Sequence, residues 1–151
     1  VDYDFRHAKR TGRMTLAGVY PLFVKIATPA QAKAVAKRIE DDFLKKGGLV
    51  TTLIDNGQQW DSPNGWAPLH WVVIQGLREY GYYDLANKIK KAWVKTCVDV
   101  YKTEGKMVEK YNVVNPTKLG GGGEYVLQDG FGWTNGVLAA LLAEDTKDPD
   151  Y

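Results

Sequence analysis

One short segment of this chain gathers residue types that suit contact with a sugar. Residues 58–68 read Gln-Gln-Trp-Asp-Ser-Pro-Asn-Gly-Trp-Ala-Pro. Indole rings stack on the apolar faces of pyranoses, while amide and carboxylate groups hydrogen-bond the sugar hydroxyls. The segment therefore predicts a cleft wall in which Gln59, Trp60 and Asp61 contact the ligand. Trp60 is expected to supply the stacking surface, whereas Trp66 is expected to pack behind the loop.

Several loop acids could carry glycoside hydrolysis, which needs two carboxyl groups across the scissile bond. The candidates are Asp55, Asp61, Glu104, Glu109, Glu124 and Asp129. Spacing alone does not choose among them. Glu109 stands between apolar and aromatic residues, so it is either a partly buried catalytic carboxylate or a solvated acid on an extended edge.

A run of consecutive glycines, Gly120, Gly121, Gly122 and Gly123, precedes Glu124. Such a run loses much backbone entropy on folding and does not suit the interior of a helix or strand. It is either a flexible linker or a mobile loop that closes over a substrate and excludes water. In the second case, closure would deliver Glu124 to the sugar hydroxyls.

Apolar residues recur at helical spacing along most of the chain, which predicts paired helices joined by alternating short and long loops. The predicted helices cover residues 15–27, 28–46, 68–80, 83–101 and 135–143, with N-caps at Thr28 and Thr134 and a frayed tail over 144–151. Residues 49–54 and 106–114 are predicted to be extended. Because no strand alternation is sustained, the pattern favours an all-α ring of helical hairpins with functional loops at one end.

The composition excludes some classes of partner. The net charge is +2 and the basic residues are interspersed with acids, so no nucleic-acid partner is predicted. No apolar stretch approaches the ~20 residues that span a bilayer, so no membrane partner is predicted. His7 and His70 lack metal-ligand spacing, and no metal or cofactor is predicted. Both histidines and Cys97 are interpreted as structural residues.

Three separate motifs resemble those of the trehalases, glycoside hydrolase family 37. Residues 59–68 resemble the family signature Gln-Trp-Asp-x-Pro-x-Gly-Trp-Ala-Pro. Residues 108–111, Val-Glu-Lys-Tyr, resemble the segment that carries the family's general base. Residues 120–136 resemble the Gly-rich lid and the sequence that follows it. The motifs keep the family's order and spacing, and the resemblance covers essentially the whole chain.

The resemblance implies that residues 1–151 are the C-terminal part of a single catalytic domain, an (α/α)6 toroid or six-hairpin barrel. It implies inverting hydrolysis of α,α-trehalose, with Glu109 as general base and Glu124 as a substrate contact. The family's general acid, an Asp in a Gly-Trp-Asp motif, is expected in an N-terminal half that would be the partner of this chain. The alternatives are another toroidal glycosidase acting on a related glucoside, or a carbohydrate-binding helical fragment without catalysis.

Overall fold

Helices dominate the part of the chain that the structure, a computed structural model, describes: residues 3–145. They are α1 (Tyr20–Phe23), α2 (Pro29–Arg38), α3 (Ala67–Glu79), α4 (Tyr83–Glu104) and α5 (Gly132–Asp145). Short antiparallel ladders join β1 (Tyr3–Asp4) to β2 (Lys9–Arg10), β3 (Leu44–Lys45) to β4 (Gly48–Leu49), and β5 (Asn64–Trp66) to β6 (Lys110–Asn112). The mainly helical prediction is confirmed. The extended stretch predicted over 106–114 contains β6, while that over 49–54 is a strand only at Leu49, and the sequence pattern does not predict which strands pair.

The core lies around α3, which packs against α1, α4 and α5. The buried apolar side chains of α3 and α4 include Val73, Ile74, Leu77, Ile89 and Trp93. Full burial of one such side chain contributes roughly 1.5–3 kcal/mol to stability. Gly76 permits the close approach of α1, because a Cβ there would lie 3.1 Å from the Cβ of Leu22. None of the described helices is long and apolar enough to cross a membrane.

His70 is a core residue, as the sequence predicts. Its imidazole is fully buried and stacks on Trp93 with 3.8 Å between ring centroids. Nε2 accepts a hydrogen bond from the Leu49 amide and Nδ1 donates one to the Trp66 carbonyl, both at 2.8 Å. Burial lowers the pKa of His70 to about 3, although the bond to Trp66 opposes this shift. Cys97 is buried nearby, which raises the pKa of its thiol.

Helix α2 begins where the sequence predicts. The Thr28 hydroxyl accepts from the Gln31 amide at 3.3 Å, and the Gln31 side chain accepts from the Thr28 amide at 2.8 Å, which forms a capping box. The predicted end near Lys46 is wrong. After Arg38 the backbone widens into one π-helical turn, Ile39–Phe43, and the β3–β4 hairpin follows.

The predicted helix over residues 15–27 is confirmed only in part, because the segment is helical from Leu16 to Phe23 and ends there. Leu16–Val19 forms a 3-10 turn, and α1 adds only one α-helical turn. Lys25 has a φ of 60°, which a right-handed helix cannot contain. Ile26 is exposed, whereas Leu22 is fully buried, so this segment contributes a short anchor to the core.

The start of α5 lies before Thr134, so that residue is inside the helix and the predicted N-cap is wrong. Its hydroxyl is buried and lies 3.4 Å from the carbonyl oxygen of Glu109, to which it donates. The start of α5 is therefore tied to the main chain of the candidate catalytic residue.

The end of α5 is held by ion pairs, which corrects the predicted fraying at Glu144. Its carboxylate is bonded by both terminal nitrogens of Arg78 at 2.9 Å and lies 3.0 Å from Lys90. These partners, Arg78 above all, lower the pKa of Glu144 to about 2. The rest of the predicted tail, residues 146–151, lies outside the described residues.

Candidate active site

The β5–β6 ladder brings the Trp-rich loop to the strand that follows Glu109. Trp66 pairs with Lys110 in this ladder. Gly65 lets β5 lie close to Val113, because a Cβ at position 65 would lie 2.6 Å from a methyl group of Val113. The ladder therefore fixes two of the three sequence motifs side by side, although they are far apart in the chain.

The tryptophans of the loop form a stacked pair. The rings of Trp60 and Trp66 are 3.8 Å apart and nearly parallel, and Trp133 of α5 meets both edge-on. Trp66 is buried and donates from Nε1 to the Gln59 carbonyl at 3.0 Å, as expected for a packing residue. Trp60 stays 41% exposed, and Trp66 covers one of its faces. The remaining face can stack on a ligand ring.

Glu109 is almost fully buried, with 1% of its surface exposed, so its interpretation as a solvated edge residue is wrong. Its Oε2 lies 3.1 Å from the ammonium of Lys110, and its Oε1 accepts from the Tyr125 hydroxyl at 2.7 Å. The main chain is held equally well, because the Glu109 amide donates to the Gln128 carbonyl at 3.0 Å. The carboxylate is thus fixed at both oxygens.

Lys110 is the most unusual residue of the site, since none of its surface is exposed. Its ammonium lies 5.4 Å from the ring centroid of Trp66 and 5.1 Å from that of Tyr125. It also lies 3.5 Å from the side-chain oxygen of Gln59 and next to the carboxylate of Glu109. Aromatic faces and oxygen acceptors thus replace the water that a lysine normally keeps.

Tyr125 connects the Glu109 carboxylate to the glycine-rich segment, residues 119–129, which contains the glycine run. The hydrogen bond to Glu109 raises the pKa of the Tyr125 phenol, because losing its proton would place a second negative charge beside the carboxylate. Burial adds to this effect, and a hydrogen bond with the Gln59 side chain opposes it. Tyr125 is 46% exposed, so it covers Glu109 from the solvent side.

The glycine run is attached to the Trp-rich loop by a buried amide. Asn64 accepts from the Gly121 amide at 3.2 Å and donates to the Gly121 carbonyl at 2.6 Å. The side chain thereby imitates one rung of a β-ladder. Farther along the run, the Gly123 amide donates to the Gly57 carbonyl at 2.9 Å.

Close approach requires glycine at several positions of the run. A Cβ at Gly120 would lie 2.6 Å from the Lys110 carbonyl oxygen, and one at Gly122 would lie 2.5 Å from that of Gly57. Gly122 and Gly123 also have φ values of 82° and 87°, which other residues rarely adopt. The flexible-linker interpretation is therefore wrong, while motion of the run during catalysis stays a prediction.

Both stems of the glycine-rich segment pair with the stretch that carries Glu109. One stem forms a β-bridge at Leu119 and the other at Asp129, with partners on either side of Glu109. The tip between them, residues 122–127, carries Tyr125. Glu109 and the segment that covers it therefore form one unit.

Two predicted substrate contacts have other surroundings. Asp61 accepts from the Thr52 hydroxyl at 2.8 Å, and its amide closes a turn onto the Gln58 carbonyl at 3.1 Å. Glu124 is exposed and makes no hydrogen bond or ion pair within residues 3–145. The structure thus links Gln59 to Glu109 through Lys110 and stacks Trp60 on Trp66, whereas neither acid is bonded to these groups. The roles of the two acids in substrate binding stay predictions.

Sequence reasoning missed Lys110, Tyr125 and Asn64 as members of the site. Each stands inside one of the three motifs, beside residues of the usual catalytic and stacking types. The available signal was the adjacency of Lys110 to Glu109, which places an opposite charge beside the candidate base.

The assembled groups suit proton transfer beside a sugar. The Glu109 carboxylate can accept a proton, and the open face of Trp60 can carry a pyranose ring. The described residues contain no group of three or more His, Cys, Asp or Glu side chains placed to hold a metal ion.

Comparison with a protein-family model identifies the family of this chain. The trehalase model matches residues 1–145. This chain belongs to the trehalase family. The match confirms the resemblance that the three motifs carry, and it extends over nearly all of the chain.

Curated members of the trehalase family are similar to this chain over a limited part of their own length. The periplasmic trehalase of Xanthomonas axonopodis pv. citri is 46% identical over 150 residues, which cover 97% of this chain and 26% of that protein. The periplasmic trehalase of Pseudomonas aeruginosa is 48% identical over 141 residues, which cover 93% of this chain and again 26% of that protein. This chain therefore spans about a quarter of these relatives.

Solved structures agree with the family assignment. Neutral trehalase from Saccharomyces cerevisiae matches with a TM-score of 0.77 and 28% identity, covering 94% of this chain and 26% of that one. A GH63 mannosylglycerate hydrolase from Thermus thermophilus matches with a TM-score of 0.68 and 24% identity, covering 94% of this chain and 34% of that one. The second likeness concerns the fold alone.

Proposed function

We propose that this chain is the part of an α,α-trehalase that supplies the general base and one wall of the substrate cleft. The observation that carries the proposal is the buried Glu109 carboxylate, held at one oxygen by Lys110 and at the other by Tyr125. Membership of the trehalase family supports trehalose as the substrate. No cofactor is part of the proposal.

In this reaction Glu109 takes a proton from a water molecule as the water oxygen attacks one anomeric carbon of trehalose. The bond from that carbon to the bridging oxygen breaks, and a general acid protonates the departing glucose. That acid would be an Asp in the N-terminal half of the enzyme, outside residues 1–151. The acid and base carboxyls of inverting glycosidases are about 6.5–9.5 Å apart, which leaves room for the water.

Sugar binding would use the Trp-rich loop and the tip of the glycine-rich segment. Trp60 would stack on a glucose ring, while Gln59 and Asp61 would contact its hydroxyls. The exposed Glu124 would reach the substrate when the tip, residues 122–127, closes over it. In this proposal the chain completes an (α/α)6 toroid with its N-terminal half and has no turnover alone.

The test is Glu109→Gln in the full-length enzyme, assayed for glucose release from trehalose. General base catalysis contributes about 10²–10⁴-fold, so turnover should fall within that range or below detection. Glu104→Gln, an exposed position at the end of α4, serves as a matched control and should keep full activity. A loss of less than about tenfold for Glu109→Gln would contradict the assignment.

The stereochemistry and the substrate are tested separately. Inversion releases one α- and one β-glucose from each trehalose, which proton NMR detects before the anomers equilibrate. Release of α-glucose only would contradict inversion and indicate retention. A panel of related glucosides distinguishes a trehalase from another toroidal glycosidase, and the absence of turnover on any of them would favour a carbohydrate-binding role.

A further inference from the structure

The full burial of Lys110 calls for an explanation. A lysine that leaves water loses several kcal/mol of solvation, and its ion pair rarely returns more than that cost. A Met side chain of similar length could fill the same space between Trp66 and Tyr125 without a buried charge. Stability alone therefore does not account for a lysine at this position, and its contact with Glu109 does.

We propose that Lys110 is a positioning residue for hydrolysis, which holds the Glu109 carboxylate in a single orientation. This inference rests on the proposed function of Glu109 as the general base. The ammonium bonds Oε2 at 3.1 Å from within the protein, while Tyr125 reaches Oε1 at 2.7 Å from the solvent side. Lys110 thereby directs Oε1 toward the side on which a water molecule can be activated.

The two donors on the carboxylate have different freedom. Tyr125 belongs to the exposed tip, whereas Lys110 lies on β6 and packs over the ring of Trp66, which is not part of the tip. When the tip opens, the bond to Oε1 is lost and the bond to Oε2 remains. Lys110 is then the group that prevents the carboxylate from rotating.

Lys110 is also the cation that faces the carboxylate. Of the other charged groups on the neighbouring segments, Lys106 and Asp129 pair with each other at 2.9 Å near the surface. Glu124 on the tip is exposed, and Asp61 on the Trp-rich loop accepts a hydrogen bond from Thr52. The Tyr125 phenol supplies a hydrogen bond but no charge. Removing the ammonium should therefore leave Glu109 as a buried carboxylate without compensation, which binds a proton more readily.

The experiment compares Lys110→Met with the wild type in the full-length enzyme, by kcat and KM for trehalose from about pH 4 to about pH 9. We expect kcat at neutral pH to fall about 10- to 100-fold, with KM changed less than about threefold, since the group does not touch the sugar. The acidic limb of the kcat profile should move to higher pH by at least about one pH unit. Lys110→Arg, which keeps the charge, should return the acidic limb part of the way to its wild-type pH.

A purely structural role predicts a different result. In that case kcat would fall by the same factor at every pH, and the acidic limb would not move, which would overturn the proposal. If Lys110→Met does not fold, Lys110→Gln gives the same comparison while keeping a hydrogen-bond donor. If no replacement folds, the residue serves folding and the proposal is wrong.

Failure of this inference is distinguishable from failure of the proposed function. If Glu109→Gln stays active, the assignment of Glu109 as the general base is wrong, whatever Lys110 does. If Glu109→Gln is inactive and the acidic limb of the kcat profile does not shift in Lys110→Met, the assignment of Glu109 stands and only the proposed role of Lys110 is rejected.

Discussion

Acidification should destabilise this protein through His70. The folded state keeps His70 neutral, with a pKa of about 3, whereas the unfolded chain binds a proton near the ordinary value of 6.5. Because the folded pKa is depressed, the stabilisation is complete above pH 6.5 and is lost as the pH falls toward 3. Proton linkage between these values gives a loss of about 2 kcal/mol at about pH 5 and about 3 kcal/mol at about pH 4.

The assay is urea unfolding of the full chain at about pH 7 and about pH 5, compared with a His70→Gln variant. Glutamine can accept from the Leu49 amide but does not titrate, so the variant should lose about 2 kcal/mol of the pH dependence. Glu144, with a pKa lowered from 4.5 to about 2, acts at lower pH and hardly enters this window. Equal pH dependence in the two proteins would refute the reasoning.

Two further predictions concern the cleft wall. Trp60→Ala in the full-length enzyme should raise KM for trehalose about tenfold, because losing a stacking face worth about 1.4 kcal/mol has that effect on affinity. An unchanged KM would count against Trp60 as a sugar contact. Asn64→Leu should release Gly121 and increase chymotrypsin cleavage at Tyr125 at least severalfold, whereas the exposed Asn87→Leu should not. Equal cleavage of the two variants would mean that the amide does not hold the segment.

Features that depend on neighbouring residues could be predicted from the sequence. Thr28 and Gln31 form a capping box because both partners lie within one turn, and the start of α4 at Tyr83 follows from the turn at Gly81. The candidate site residues Gln59 and Trp60 could be named for a related reason, whereas Glu109 was distinguished from the other acids by the family resemblance of its segment. The side chains of Gln59 and Trp60 have chemistry that is recognisable in a short motif, whatever surrounds it.

Features that depend on distant partners could not be predicted in this way. Thr134 has the residue type of an N-cap, yet its hydroxyl is bonded to the Glu109 carbonyl, a contact between separate segments. The glycine run indicates freedom when taken alone, but the space beside it is filled by the backbones of Lys110 and Gly57. Burial of Lys110 likewise depends on Trp66 and Tyr125, which the sequence separates widely.

The pairing of both stems beside Glu109 makes Tyr125 a tethered ligand of the proposed base. A group on a short flexible tether has an effective concentration in the millimolar range at its binding site. The phenol occupies one acceptor position of Oε1 and covers that oxygen from the solvent side, so a water molecule or sugar hydroxyl that approaches Oε1 from solvent competes with it. Access to the base is therefore a competition whose balance depends on tip length, and inserting residues into 122–127 would shift that balance toward the open state.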